Sequence, residues 1–289
     1  MQKETIVVMT GATSGIGKIA AIQLAKSGAK LVLTARNKER ALATEKLIKE
    51  TNPQTDIDFY YGDLSLMSEV RKIALEIRNN YPKIDILIHN AGLHAFQQRI
   101  TTEGFSEMMA VNYLSPWLLT YLLEDSLLNA EYAKIISVAS EASRNHGTLS
   151  LPFDLTDTSL FTARGSSKIY GKTKLLNIMF TNELARYYDG TKVTTNAVNP
   201  GFNNTGLGRE LRISNVLGKL LKVLNIGNPK RGADIIIRLC LDPNYDDITG
   251  EYFNVGTGKK IEPVYPGNDA SMQKMLWAET KKILSAFLK

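Results

Sequence analysis

Cysteine is all but missing from this 289-residue chain. The single one, Cys240, excludes an intramolecular disulfide and suits a reducing compartment. It sits in the apolar run 235–241 and reads as core packing rather than as a nucleophile. Histidine is scarce too. His89, His94 and His146 share no helical spacing and no clear carboxylate partner, so no metal centre is expected. His94 and His146 stay open as walls of a substrate pocket. No apolar run approaches the ~20 residues of a membrane span. The longest, 114–123, is broken by Ser115, Pro116 and Thr120. The opening MQKETIVVMTGA has no basic start, long apolar stretch or cleavage site. No signal peptide is expected from it, and a cytoplasmic location is the default expectation. The net charge is +6, but the basic residues are scattered and interleaved with acids. That pattern argues against nucleic acid and leaves an anionic small-molecule cofactor as the simpler use.

What is present is a regular alternation. Short β-branched runs at 5–10, 30–35, 57–62, 84–89 and 134–139 read as buried strands. Amphipathic stretches at 15–27, 38–51, 65–80 and 102–128 read as helices between them. A long helix at 167–188, a strand at 192–198, a helix at 229–241, a short strand at 251–254 and a helix at 269–288 complete the chain. Strand–helix alternation implies a parallel sheet with helices on both faces. Right-handed crossovers then give a single-domain, Rossmann-type, doubly wound α/β fold over 1–289. Two stretches break the rhythm, 141–166 and 206–228. Both follow strand ends, where ligands bind in such sheets, and 206–228 is expected to be a substrate-loop insertion.

The sequence Thr10-Gly11-Ala12-Thr13-Ser14-Gly15-Ile16-Gly17 follows the first strand and opens the first helix. Glycines there permit a tight turn and a close approach to a pyrophosphate, while the helix N-terminus offers free N–H groups. Gly11, Thr13, Ser14, Gly15, Ile16 and Gly17 are therefore candidate cofactor contacts. A Walker-type loop is a near miss, because Ile19 stands where Ser or Thr is needed. NAD-binding folds place an acid on the ribose about 20 residues further on. Here Ala35 is followed by Arg36, which can pair with a 2′-phosphate. NADP(H) is favoured and NAD(H) stays open.

Together these motifs resemble the short-chain dehydrogenase/reductase family. Thr10–Gly17 resembles its TGxxxGxG turn, and Asp63-Leu64 its adenine-contacting pair. Asn90-Ala91-Gly92 resembles its NAG, Asn112 its helix asparagine, and Ser140 its strand-end serine. Tyr170 and Lys174 form its YxxxK, and Pro200-Gly201 with Thr205 its PGxxxT. Leu151–Leu155, Tyr170–Asn177 and Asn199–Thr205 are most similar to the retinol-dehydrogenase-like branch.

The resemblance implies a hydride transfer between nicotinamide and a carbonyl or alcohol, with Asn112, Ser140, Tyr170 and Lys174 catalytic. Tyr170 and Lys174 are spaced i, i+4 and share a helix face. A free phenol, of pKa about 10, is a poor base at neutral pH, and a nearby ammonium is expected to lower it. Ser140 would hydrogen-bond the substrate oxygen. Lys174 would also reach the nicotinamide ribose, Asn112 a water-linked relay, and Pro200, Gly201 and Thr205 the carboxamide. Phe96, Phe153, Phe202, Leu207 and Leu211 lean toward an apolar substrate. Two other readings stay open: a non-catalytic cofactor-sensing scaffold, and a reductase of a C=C bond. A homo-oligomer is neither required nor excluded.

Overall fold

Side chains in a strand alternate between faces, and here both faces are apolar. In β1 (Ile6–Met9), Val7 and Met9 enter one core and Val8 the other. The structure, a computed structural model, describes residues 4–201 and 228–288. With β1, the strands β2 (Lys30–Ala35), β3 (Ile57–Tyr61), β4 (Ile86–His89), β5 (Ala133–Val138), β6 (Val193–Asn199) and β7 (Glu251–Asn254) form one sheet. Its order is β3-β2-β1-β4-β5-β6-β7, and every pair is parallel. The expected strands are all present, with ends shifted by at most two residues.

The helices are α1 (Gly15–Lys26), α2 (Lys38–Thr51), α3 (Met67–Asn80), α4 (Glu107–Met109), α5 (Ser115–Leu122), α6 (Glu124–Leu128), α7 (Phe153–Thr156), α8 (Ala163–Tyr187), α9 (Pro229–Leu241) and α10 (Ala270–Ile283). Residues of α1, α2 and α9 fill the core on one face of the sheet. Those of α3, α5, α8 and α10 fill the other. The doubly wound expectation holds. Among the described residues no helix is long and apolar enough to cross a membrane.

The continuous helix expected over 102–128 is not formed. Gly104, at φ 83°, turns residues 101–105, so helix starts only at Glu107. Residues Ala110–Leu114 then make a π turn before α5. Pro116, near the start of α5, has no N–H for the carbonyl of Asn112, so α-type bonding must break there. That break places Asn112 in the widened turn. Helix α8 begins four residues earlier than expected, because Thr162 caps it by accepting Gly165 N–H at 3.3 Å. The expected substrate loop, 206–228, lies outside the described residues except Asn228, which caps α9.

Candidate active site

Strand register gathers the candidate residues. Met9 is level with Ile88, His89 with Ser137, and Val138 with Val198. The residues just beyond β1, β4, β5 and β6 therefore line one edge of the sheet, and β1 and β4 flank the point where strand order reverses.

The glycine turn is clasped by the NAG segment. Asn90 Nδ2 donates to the carbonyls of Thr10 (3.2 Å) and Gly11 (3.0 Å). Thr10 Oγ1 accepts the N–H groups of Asn90 (3.2 Å) and Ala91 (3.1 Å). Gly11 has φ 70°, and a Cβ there would lie 2.8 Å from Ala91 Cα, so glycine is required twice over. Ser14 caps α1 without a side-chain bond, and no acid stands in its first turn. The N–H groups of that turn are left for an anion such as a pyrophosphate, which the residues present therefore fit. Beside it, Thr13, Ser14, Gly15, Lys18 and Arg40 line a cavity of about 300 Å³. No ion pair of Lys18 or Arg40 is found among the described residues.

Arg36 follows β2 directly, is exposed, and pairs with Asp63 at 3.3 Å. Burial opposes charge on Asp63, but the Ser65 N–H and hydroxyl, together with Arg36, hold its carboxyl below the usual range. The two expected adenosine contacts, Arg36 and Asp63, thus meet each other, and Leu64 packs partly buried against the core.

Ser140, Tyr170, Lys174 and Asn112 converge beyond β4 and β5. Ser140 Oγ caps the short turn Glu141–Asn145 by accepting Ala142 N–H at 3.1 Å. Helix α8 packs closely on that turn because residue 171 is glycine; a Cβ there would lie 2.4 Å from the carbonyl oxygen of Ala142. This brings the Tyr170 phenol within the influence of the Ser140 hydroxyl, which favours its ionised form. Lys174 Nζ donates to the carbonyl of Val138 at 2.7 Å and stands 5.7 Å from the Tyr170 ring centroid. Asn112, fully buried, grips the loop after β4: Oδ1 accepts Leu93 N–H at 2.8 Å and Nδ2 donates to Leu93 O at 2.9 Å. Nδ2 also reaches Thr173 Oγ1 at 3.0 Å.

Electrostatics differ from expectation at Tyr170. Burial pushes its phenol up to about 12, and the nearby Ser140 hydroxyl only partly opposes this. The ammonium of Lys174 does not outweigh that burial at Tyr170, and burial lowers Lys174 itself, to about 8.

Pro200 and Gly201 follow β6, with Gly201 N–H donating to Asn199 Oδ1 at 3.1 Å. Thr205, Phe202, Leu207 and Leu211 lie outside the described residues. Phe96 is half-buried near His94, whereas Phe153 is 60% exposed. Among the described residues no group of His, Cys, Asp and Glu could hold a metal. Three contributors were not singled out from sequence: Thr10, Thr173 and the carbonyl of Val138. Thr10 and Thr173 stand inside the quoted motifs, whereas a backbone carbonyl leaves no sequence mark.

The family model described as short chain dehydrogenase matches residues 5–152. The chain belongs to the short-chain dehydrogenase/reductase family. Human retinol dehydrogenase 13 is 32% identical over 285 residues, covering 96% of this chain and 84% of that protein. Human dehydrogenase/reductase SDR family member 13 is also 32% identical, covering 96% and 72%. These similarities place this short-chain dehydrogenase/reductase in the retinol-dehydrogenase-like branch, among oxidoreductases of carbonyl and alcohol groups. A crystal structure of a protein from Mycobacterium Paratuberculosis superposes with TM-score 0.76 at 24% identity, covering 97% of this chain and 93% of that one. Actinorhodin polyketide ketoreductase with NADPH gives 0.68 at 22%, covering 88% and 96%; both show the shared fold.

Proposed function

We propose that this chain is an NADP(H)-dependent oxidoreductase interconverting a carbonyl and an alcohol at Ser140, Tyr170, Lys174 and Asn112. The observation that carries the reading is the close packing of α8 at Gly171 on the turn after Ser140, which sets Tyr170 beside the end of β5 with Lys174 buried behind, bound to Val138 O and 5.7 Å from the phenol ring. The bound cofactor supplies or takes the hydride at the substrate carbon. In the reducing direction, Ser140 donates a hydrogen bond to the carbonyl oxygen, and Tyr170 passes its proton to that oxygen as charge develops. An alkoxide is a much stronger base than a phenolate of pKa about 12, so the transfer runs downhill. Lys174 stabilises the phenolate left behind and has donors to spare for ribose hydroxyls. Asn112 fixes the loop and helix between which the site lies.

Preference for NADP(H) is supported by Ala35, where a repelling acid would stand, by exposed Arg36, and by the cationic cavity of Lys18 and Arg40. Neutral, ring-bearing Phe96 supports an apolar substrate. The structure of a ketoreductase with NADPH shares the fold.

The test is a titration of the protein with NADPH and NADH, with Arg36→Ala and Arg40→Ala alongside, followed by a carbonyl screen with Tyr170→Phe as control. Tighter NADPH binding, weakened in the arginine variants, supports the cofactor reading; equal NADH binding removes it. Turnover that survives Tyr170→Phe removes the proton-donor assignment. Binding without turnover of any carbonyl favours the cofactor-sensing scaffold.

A further inference from the structure

The loop after β4 lays a ring against Tyr170. The His94 and Tyr170 rings are stacked, with centroids 4.7 Å and planes 14° apart. Phe96 packs on the same imidazole at 4.7 Å. His94 Nε2 lies 3.0 Å from Ser166 Oγ, and Ser166 is one helical turn before Tyr170 on α8. The Ser166 hydroxyl donates to Ala163 O at 2.7 Å, so its oxygen accepts and Nε2 carries the proton. The backbone that delivers His94 is also held. Leu93, its neighbour, is gripped through both N–H and carbonyl by Asn112. A connected path therefore runs from the π turn through Asn112, Leu93 and His94 to the phenol ring.

Offset stacking at this distance is favourable and fixes ring orientation. A phenol on a long side chain otherwise tilts about its own bonds. Tyr170 must keep its hydroxyl at Ser140, and the imidazole covers one face of its ring. A substrate then meets the hydroxyl along the ring edge beside Ser140.

We propose that His94 is a positioning residue for Tyr170, holding the phenol at the angle that proton transfer needs. The proposal rests on the carbonyl chemistry proposed above. Losing the stack displaces Tyr170 Oη without touching the glycine turn, so rate suffers and cofactor binding does not.

The experiment compares the full chain with His94→Ala and His94→Phe. It measures kcat, KM, NADPH affinity and the Tyr170 ring signals in ¹³C-tyrosine-labelled protein, assigned with Tyr170→Phe. His94→Ala is expected to lower kcat roughly tenfold to a hundredfold, since small misplacements of reacting groups are costly. NADPH affinity should stay within about twofold, and the Tyr170 signals should shift as the stacked ring is lost. His94→Phe restores a stacking ring and should recover most of kcat. Unchanged kcat in His94→Ala, or equal losses in both variants, overturns the proposal. A parent that binds NADPH but reduces no carbonyl overturns the proposed reaction instead. The Tyr170 signals then decide for His94: unshifted in His94→Ala they overturn the positioning contact, and shifted they uphold it.

Discussion

Lys174 Nζ donates to the carbonyl oxygen of Val138 at 2.7 Å. That bond fastens the middle of α8 to the end of β5 and takes one of three ammonium donors. It also holds the charge in a fully enclosed place, where burial brings Lys174 to about 8. Tyr170, at about 12, stays protonated well beyond that value. In the reducing direction kcat/KM should therefore be flat through neutral pH. It should fall about tenfold per pH unit above pH 8, as the ammonium that stabilises the phenolate is lost. A pH–rate profile checks this, and a profile flat to pH 10 would remove Lys174 from the role.

His89 carries a pH effect on stability instead. Burial lowers it from 6.5 to about 3, and its Nε2 meets Thr120 Oγ1 at 2.7 Å. Below pH 6.5 the unfolded chain gains a proton there that the folded chain refuses until about pH 3. The contribution is thus fully present above 6.5 and drains away between the two values. The slope reaches ~1.4 kcal/mol per pH unit for one proton. Urea midpoints measured from pH 7 to 4 should fall less steeply in His89→Asn than in the parent; parallel curves would contradict it.

Asn112→Ala should destabilise and inactivate together. It leaves the N–H and carbonyl of Leu93 without their partner, a cost of about 1–3 kcal/mol per buried group. Thermal melting and turnover should both drop, and a loss of turnover with an unchanged melt would point to a purely chemical role.

At the glycine turn, a Cβ on Gly17 would lie 2.2 Å from Gly11 O and 2.3 Å from Asn90 Nδ2. Gly17→Ala must push the clasp apart. Cofactor affinity should weaken at least about tenfold, a change of ~1.4 kcal/mol. Calorimetric titration reads it directly; unchanged affinity would mean that the turn relaxes without consequence.

Lys172 and Asp154 form a buried ion pair at 2.5 Å, and Asp154 Oδ2 accepts Ser150 N–H at 2.6 Å. The pair ties residues 150–154 to α8 between Tyr170 and Lys174. Asp154→Asn removes the direct partner of half-buried Lys172, leaving only the nearby carboxylate of Asp157, so the loss is expected at about 1–3 kcal/mol. Hydrogen exchange should quicken in 148–157 first, and protection equal to the parent's would show the pair to be dispensable.

Short β-branched runs alternating with amphipathic stretches made the parallel, doubly wound sheet legible in the sequence; its strand order was not read from it. The broken helix around Asn112 was not legible, because apolar periodicity runs straight through it. The cue was Pro116, whose missing N–H acts four residues upstream, on the residue that matters. Charge proximity at the phenol can be read from i, i+4 spacing, whereas its burial, which acts the other way, depends on the packing of Gly171 against the Ala142 carbonyl and leaves no local mark. The stack of His94 on Tyr170 joins residues 76 positions apart, and nothing local announces it.

The all-parallel order of the sheet has a consequence for how the site comes into being. No strand meets its neighbour through a hairpin, so β1 must wait for β4, and the Asn90 clasp on Gly11 spans 79 residues. As the chain is synthesised, the glycine turn proposed to hold the nucleotide and its Asn90 clasp can be completed before α8 exists. Tyr170 and Lys174, the proposed proton donor and its lysine, arrive later, on α8, which packs against β5 and β6. The site is assembled in two instalments, recognition first and chemistry second.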